Sequence, residues 1–170
     1  MTIRLRQQLT HTTNSMAVNK NSKKKIMWVC FIVYLLFLGY LLFFARSFGR
    51  AEFGESEYRY NLTLFQEIGR YYRLGINKGI WYLFIINVIG NIVVFMPVAI
   101  FLRLLVKRCK SVFYTILLCL ELSLAAEIIQ LVTRVGSFDV DDLLLNTLGG
   151  ICGCIALAIW RVWHGRKKNI

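Results

Sequence analysis

Residues 137–150 read SFDVDDLLLNTLGG and place three aspartates and an asparagine at the start of an apolar run. Asp139, Asp142 and Asn146 follow i, i+3, i+7 spacing, which puts them on one face of a helix. Paired carboxylates can transfer protons or hold a divalent cation, and amides can hydrogen-bond a polar ligand. Because charged groups inside a membrane usually face a cavity or a partner, this spacing predicts a polar site.

Two other apolar segments carry polar residues that we expect at the same depth. Asn87 and Asn91 are four residues apart, and Glu127 and Gln130 are three apart, so each pair shares one helix face. The sequence therefore predicts a polar pocket between three helices. Its binding candidates are Asn87, Asn91, Glu127, Gln130, Asp139, Asp142 and Asn146, and its catalytic candidates are Glu127, Asp139 and Asp142.

Each candidate also has a structural explanation. Ser137 or Asp139 would cap the fourth helix, and capping accounts best for Asp141, which points away from the shared face. The asparagines would hydrogen-bond a neighbouring helix. Glu121 lies deeper and on a different face from Glu127, so its alternative role is to pair with a basic residue at the inner interface.

The composition is that of a membrane protein. The chain has 170 residues, of which 57% are hydrophobic and 18% charged, against about 25% charged in soluble domains. Its net charge of +12 lies in short clusters beside apolar segments, which is typical of topogenic charge and argues against nucleic acid as a partner. His11 and His164 fall in the predicted tails, so no serine–histidine or cysteine–histidine arrangement is available.

Four long apolar runs predict an all-α fold, a bundle of four transmembrane helices. A small-xxx-small pair, Gly149 and Gly153, predicts close helix contact in the fourth. The predicted helices cover 26–44, 80–102, 111–132 and 143–160 of a membrane domain at 26–163, flanked by a disordered basic tail at 1–25 and a basic tail at 164–170.

Loop charge predicts the orientation. Lysines precede the first run, the loop at 103–110 has four basic residues and no acid, and basic residues follow the fourth run. The positive-inside rule then puts both termini in the cytoplasm and the aspartates outside. In the first outer loop, residues 61–73 alternate apolar and charged faces, which predicts a short amphipathic helix on the membrane surface.

Four sequence blocks resemble the VanZ-like family, whose namesake is a teicoplanin-resistance membrane protein. The blocks are RYNLTLF, NVIGNIVVFMPVAIF, SLAAEIIQ and RVGSFDVDDLLLNTLGG, and they lie within residues 58–155. The family's usual proline is replaced by Leu64 and its usual glycine by Ala99. The resemblance implies corresponding roles for Arg59, Asn61, Phe65, Asn91, Phe95, Pro97, Glu127, Gln130, Asp139, Asp142 and Asn146.

The predicted function is that of a multi-pass protein of the bacterial cell membrane with membrane lipids as partners. Its outward-facing pocket would bind a lipid-linked wall precursor or a glycopeptide antibiotic, with no cofactor, and Arg59, Asn61 and Arg134 would add binding groups. One alternative is a carboxylate-dependent enzyme, with a divalent cation as its conceivable cofactor. The other is a scaffold in which the carboxylates pair only with Arg59 and Arg134.

Overall fold

The computed structural model describes residues 2–44 and 60–166, with side chains at 21–42 and 60–165. The elements in this part of the chain are helices with one short parallel strand pair. In chain order they are α1 (Thr2–Phe44), β1 (Tyr60–Asn61), α2 (Gln66–Lys78), α3 (Trp81–Phe84), a π-helical turn (Ile85–Ile89), α4 (Gly90–Leu105), a 3-10 turn (Arg108–Lys110), α5 (Val112–Val132), β2 (Phe138–Asp139) and α6 (Val140–Arg166).

Among the described residues, four helical segments are long and apolar enough to cross a membrane, which confirms the all-α, four-span prediction. They are Asn21–Leu42, Trp81–Leu105, Val112–Val132 and Val140–Gly165. The fourth begins three residues before its predicted start, because Asp139 caps the helix directly ahead of Val140.

Helix α1 begins at Thr2, far ahead of the predicted start at residue 26. The helix therefore extends into the segment 1–25, whose role as a basic cytoplasmic tail stays a prediction. No glycine or proline interrupts the sequence before Gly39, so nothing in the backbone chemistry stops the helix where the apolar run begins.

The second span is continuous but not uniformly α-helical. Residues Ile85–Ile89 form a π-helical turn between α3 and α4. A π turn changes the phase of the helix by inserting an extra residue, so residues on either side no longer share the face that i, i+4 spacing predicts. Asn87 lies within this turn and Asn91 just after it.

The bundle is held together mainly by close contact of α6 with α4. A side chain added at Gly149 or Gly153 would collide with the backbone carbonyls of Ile92 and Met96, which confirms the predicted close helix contact. On its other side, α4 packs against α1 in an apolar core. This core includes Phe31, Leu38, Phe95, Val98, Ala99 and Leu102.

A short segment joins β1 and α2 to the bundle. Tyr60 pairs with Phe138 and Asn61 with Asp139 in a parallel ladder. The amphipathic helix predicted for 61–73 is present as α2, but it begins at Gln66. It starts later because the Asn61 side chain accepts the Thr63 N–H at 3.0 Å and holds this stretch in a turn.

A buried carboxylate and amide cluster at one end of the bundle

Polar side chains from five elements meet where α5 ends and α6 begins. We call this group the polar centre. It lies at the end of the bundle that the positive-inside rule predicts to be outer, and most of its members are buried. The polar centre consists of Asn61, Asn91, Ser123, Glu127, Asp139, Asp142 and Asn146.

Glu127 and Asp139 connect α5 to the start of α6. The Asp139 backbone N–H donates to Glu127 Oε2 at 2.9 Å, and Glu127 is 1% exposed. Asn61 Nδ2 donates to Asp139 Oδ1 at 3.2 Å, so the strand pair carries a side-chain bond as well. A buried carboxylate is tolerated when it accepts such bonds, and these bonds fix the segment between α5 and α6.

Asp139 has two roles at this point. Its Oδ1 accepts the Asp141 backbone N–H at 2.9 Å, which makes Asp139 the N-cap of α6, as the structural explanation predicted. Burial raises the pKa of its carboxyl from 3.8 to about 6. The Asp141 N–H opposes this rise, whereas the carboxylates of Asp142, Asp141 and Glu67 add to it. The group therefore titrates close to neutral pH.

Asp142 links α6 to α4. Its Oδ1 accepts a hydrogen bond from Asn91 Nδ2 at 2.5 Å. Asp142 is buried and Asn91 half-buried. A charge-assisted bond of this kind is stronger than a neutral one, so it fixes the depth of α4 against α6 at the polar centre.

One turn deeper, Ser123 and Asn146 form the base of the polar centre. Asn146 Nδ2 donates to Ser123 Oγ at 2.8 Å, and both side chains are buried. Asn146 Oδ1 is also buried, and none of the described residues donates a hydrogen bond to it. Sequence reasoning missed Ser123, although its place four residues before Glu127 puts it on the same helix face.

Asp141 caps a helix other than its own. Its carboxylate accepts the backbone N–H groups of Phe65 at 2.5 Å, Glu67 at 2.9 Å and Ile68 at 3.2 Å. These are the N-terminal donors of α2, which otherwise has no side-chain cap from its own N-cap residue. Capping was the right explanation for Asp141, but it acts between elements that are 73 or more residues apart.

The remaining predicted residues lie outside this cluster. Asn87 Nδ2 donates to the Leu83 carbonyl of its own helix at 2.8 Å, so it takes no part in the site. Gln130 is fully buried, but its Nε2 donates to the Leu42 carbonyl at 2.7 Å and so binds the end of α1. Arg134 is exposed in a left-handed turn after α5. Arg59 lies outside the described residues.

These contacts bear on the scaffold alternative drawn from the sequence, in which the carboxylates pair only with Arg59 and Arg134. The carboxylates also accept hydrogen bonds from amides and backbone N–H groups, and the scaffold role itself stays a prediction. Within the described residues, no group of three His, Cys, Asp or Glu side chains is arranged to hold a metal ion.

The sequence profile of the VanZ/LLP1 family matches residues 31–161. This match covers all of the polar centre and most of the chain. Neither a curated protein nor a solved structure is significantly similar to the chain. The chain therefore belongs to the VanZ/LLP1 family.

Proposed function

We propose that this membrane protein binds an amphiphilic molecule of the bacterial cell envelope at the polar centre, and that it thereby lowers susceptibility to teicoplanin-type glycopeptides. The observation that carries the proposal is the polar centre itself. Carboxylates and amides from α4, α5 and α6 converge there, and the buried Asn146 Oδ1 lacks a donor among the described residues. Buried acceptors without donors are rare in folded proteins.

The chemistry of the polar centre suits a ligand that donates hydrogen bonds. Glu127, Asp139 and Asp142 supply acceptor oxygens, and Asn146 Oδ1 adds one that no group of the described residues satisfies. Hydroxyl, amine and amide N–H groups are the matching donors. A lipid-linked wall precursor and an acylated glycopeptide both carry sugar hydroxyls and peptide amides next to a lipid tail, so both match this set.

Helix α2 has the residues expected of a helix that lies on a membrane surface. Tyr72 and Ile76 are exposed apolar residues, while Arg70 and Arg73 are exposed and basic. Such a helix lies in the interface, with its apolar face toward acyl chains and its cations near anionic headgroups. Because Asp141 caps α2, the polar centre and this helix are held side by side.

The test compares teicoplanin susceptibility of bacteria that carry no copy, the wild type, Glu127→Gln or Asp142→Asn. We expect the wild type to lower susceptibility and both variants to lose most of that effect, since each removes a charge from the polar centre. Membrane levels of each variant are measured in the same cells. Unchanged susceptibility in every strain would contradict the connection to glycopeptides.

Glu121→Gln is the matched control. It makes the same chemical change in the same helix, but on the exposed face away from the polar centre. We expect it to behave as wild type in the susceptibility assay. If Glu121→Gln and Glu127→Gln lost the effect equally, the polar centre would not be the site of action.

A membrane-embedded enzyme is the second candidate, and one observation favours it. Burial gives Asp139 a pKa of about 6, which suits a general acid or base near neutral pH. Mass spectrometry of lipid-linked precursors from the same strains separates the two functions. A chemically altered precursor that appears with the wild type and disappears with Asp139→Asn would establish the enzyme and contradict the binding proposal.

A further inference from the structure

Arg103 carries a positive charge that is largely shielded from solvent, at the end of the bundle opposite the polar centre. It lies in the last turn of α4, and its side chain is only partly exposed. Guanidinium Nη2 donates to the Lys110 carbonyl at 3.1 Å. Nε and Nη1 are buried, and none of the described residues accepts a hydrogen bond from either. A buried donor without an acceptor is costly, and more so when it carries a charge.

Within the part of the chain that the structure describes, no carboxylate balances this charge. Arg103 forms no ion pair there, and the predicted pairing of Glu121 with a basic residue at this end of the bundle is not found. The Cys109 thiol interacts with Arg103, but burial raises its pKa, and the guanidinium only partly offsets that rise. The thiol therefore stays neutral and supplies no negative charge.

The surroundings of Arg103 suit an anion. Lys107, Arg108 and Lys110 are exposed and lie in the short connection between α4 and α5, which contains no acidic residue. The Lys110 carbonyl that binds the guanidinium directly precedes Ser111, the N-cap residue of α5, which makes no side-chain capping bond. Arg103 therefore lies beside the positive end of a helix of 21 residues, where backbone N–H groups bind anions.

We propose that Arg103 and the start of α5 bind a phosphate group. A phosphate has several charged acceptor oxygens, so one group can accept hydrogen bonds from a guanidinium, from backbone N–H groups and from lysines. Arg103 lies close to the end of the span Trp81–Leu105, which is the depth of phospholipid headgroups. A phospholipid is therefore the source of phosphate nearest to the site, and free phosphate is the other. The inference does not depend on the function proposed for the polar centre, because it concerns the opposite end of α5.

The proposal predicts opposite effects of the charge at residue 103 with and without ligand. Arg103→Gln removes the charge and keeps an N–H donor for the Lys110 carbonyl. In neutral detergent and phosphate-free buffer, we expect this variant to unfold at the same temperature as the wild type or at a higher one, because an unpaired buried charge has been removed. When phosphate is bound, the wild type should be the more stable of the two.

Thermal unfolding of the purified full chain is measured with three probes. Dioctanoyl phosphatidic acid and dioctanoylglycerol differ only in the phosphate, and inorganic phosphate has no acyl chain. We expect phosphatidic acid near saturation to raise the Tm of the wild type by about 5 °C, and dioctanoylglycerol to leave it unchanged. Arg103→Gln should need about tenfold more phosphatidic acid for the same rise. An equal rise with inorganic phosphate would support the site and identify free phosphate as its ligand.

Arg161→Gln is the matched control. Arg161 is exposed and lies at nearly the depth of Arg103, because α4 and α6 run parallel and Gly153 packs against the backbone of Met96. We expect this variant to respond to phosphatidic acid as the wild type does. Equal loss of response in both variants would indicate general attraction to a basic surface and would overturn the proposal. So would a wild type that responds to neither phosphate probe, or an Arg103→Gln variant that is much less stable than the wild type without ligand.

Discussion

Glu121 and Glu127 have the same side chain and lie six residues apart on α5, yet their surroundings differ completely. Glu127 is 1% exposed and accepts the Asp139 N–H, whereas Glu121 is exposed on the outer surface of the bundle. Six residues of α-helix correspond to a rotation of about 240°. Helical phase alone therefore separates a carboxylate that organises the interior from one that lies on the outer surface of the bundle.

The wider contrast is between the two faces of α5. Its buried face carries Thr115, Ser123 and Glu127, while its exposed face is mostly apolar. In a soluble protein the buried face of a helix is apolar and the exposed face is polar, and α5 shows the reverse. Lipid is as apolar as leucine, so leucine is favourable on the outer face and polar groups are placed in the interior. Polar residues are therefore the exception on the exposed face, and those on the buried face belong to a hydrogen-bond network.

Replacing Glu121 and Glu127 in turn with leucine should give the largest difference between the two faces of α5. Glu127→Leu leaves the buried Asp139 N–H without its acceptor, and we expect it to lower the free energy of unfolding by about 3 kcal/mol. Glu121→Leu removes a polar group from lipid and should leave the stability of the protein unchanged or higher. Thermal unfolding in detergent measures both, and equal losses would refute the assignment of the two faces.

Part of the polar centre could be predicted from spacing. Asp142 and Asn146 share a face of α6, because α-helical periodicity fixes this relation before any tertiary contact, whereas the bond between Glu127 and the Asp139 N–H depends on how α5 packs against the start of α6. The same periodicity predicted the close contact at Gly149 and Gly153. Loop charge is a separate signal, and the orientation of the bundle stays a prediction from it.

What spacing missed has physical causes. Asn87 was predicted to share a face with Asn91, but the π-helical turn at Ile85–Ile89 changes the helix phase between them and Asn87 binds its own backbone. Asp141 appeared to be a local cap because a capping pattern in sequence does not say which helix supplies the N–H groups. Its partners in α2 depend on the strand pair that brings residues 60–65 to α6.

Asp141 and Asp142 offer a second comparison. The Asp142 carboxylate accepts a hydrogen bond from the Asn91 side chain, whereas the described contacts of the Asp141 carboxylate are all with backbone N–H groups. Asp141→Ala should lower the free energy of unfolding by about 2 kcal/mol, since it leaves the first N–H groups of α2 without a cap. Hydrogen exchange should accelerate at the amides of Glu67 and Ile68 and remain slow in α6.

Asp141→Asn is the matched control for this change. It keeps one acceptor oxygen of similar geometry, so it should lose less stability than alanine and protect these amides partly. Equal exchange in the wild type and Asp141→Ala would show that α2 does not depend on the cap. The position of α2 would then follow from its apolar contacts, such as Tyr72 with Trp81.

The smallest expected effect concerns the pH dependence of Asp139. Its pKa is about 6 in the folded protein against 3.8 ordinarily, so the folded state holds the proton more tightly than the unfolded chain. This contribution to stability is complete below pH 3.8 and is lost as the pH rises through about 6. Between pH 7 and pH 5, the free energy of unfolding should therefore rise by about 1 kcal/mol.

Asp139→Asn isolates that contribution from those of the other carboxyl groups. The amide keeps an acceptor for Asn61 and for the Asp141 N–H, so α6 stays capped, but it has no proton to bind in this range. The stability difference between wild type and variant should shift toward the wild type as the pH falls from 7 to 5. A difference that stays constant would mean that Asp139 titrates as an ordinary exposed aspartate, and that burial among Asp142, Asp141 and Glu67 does not perturb it.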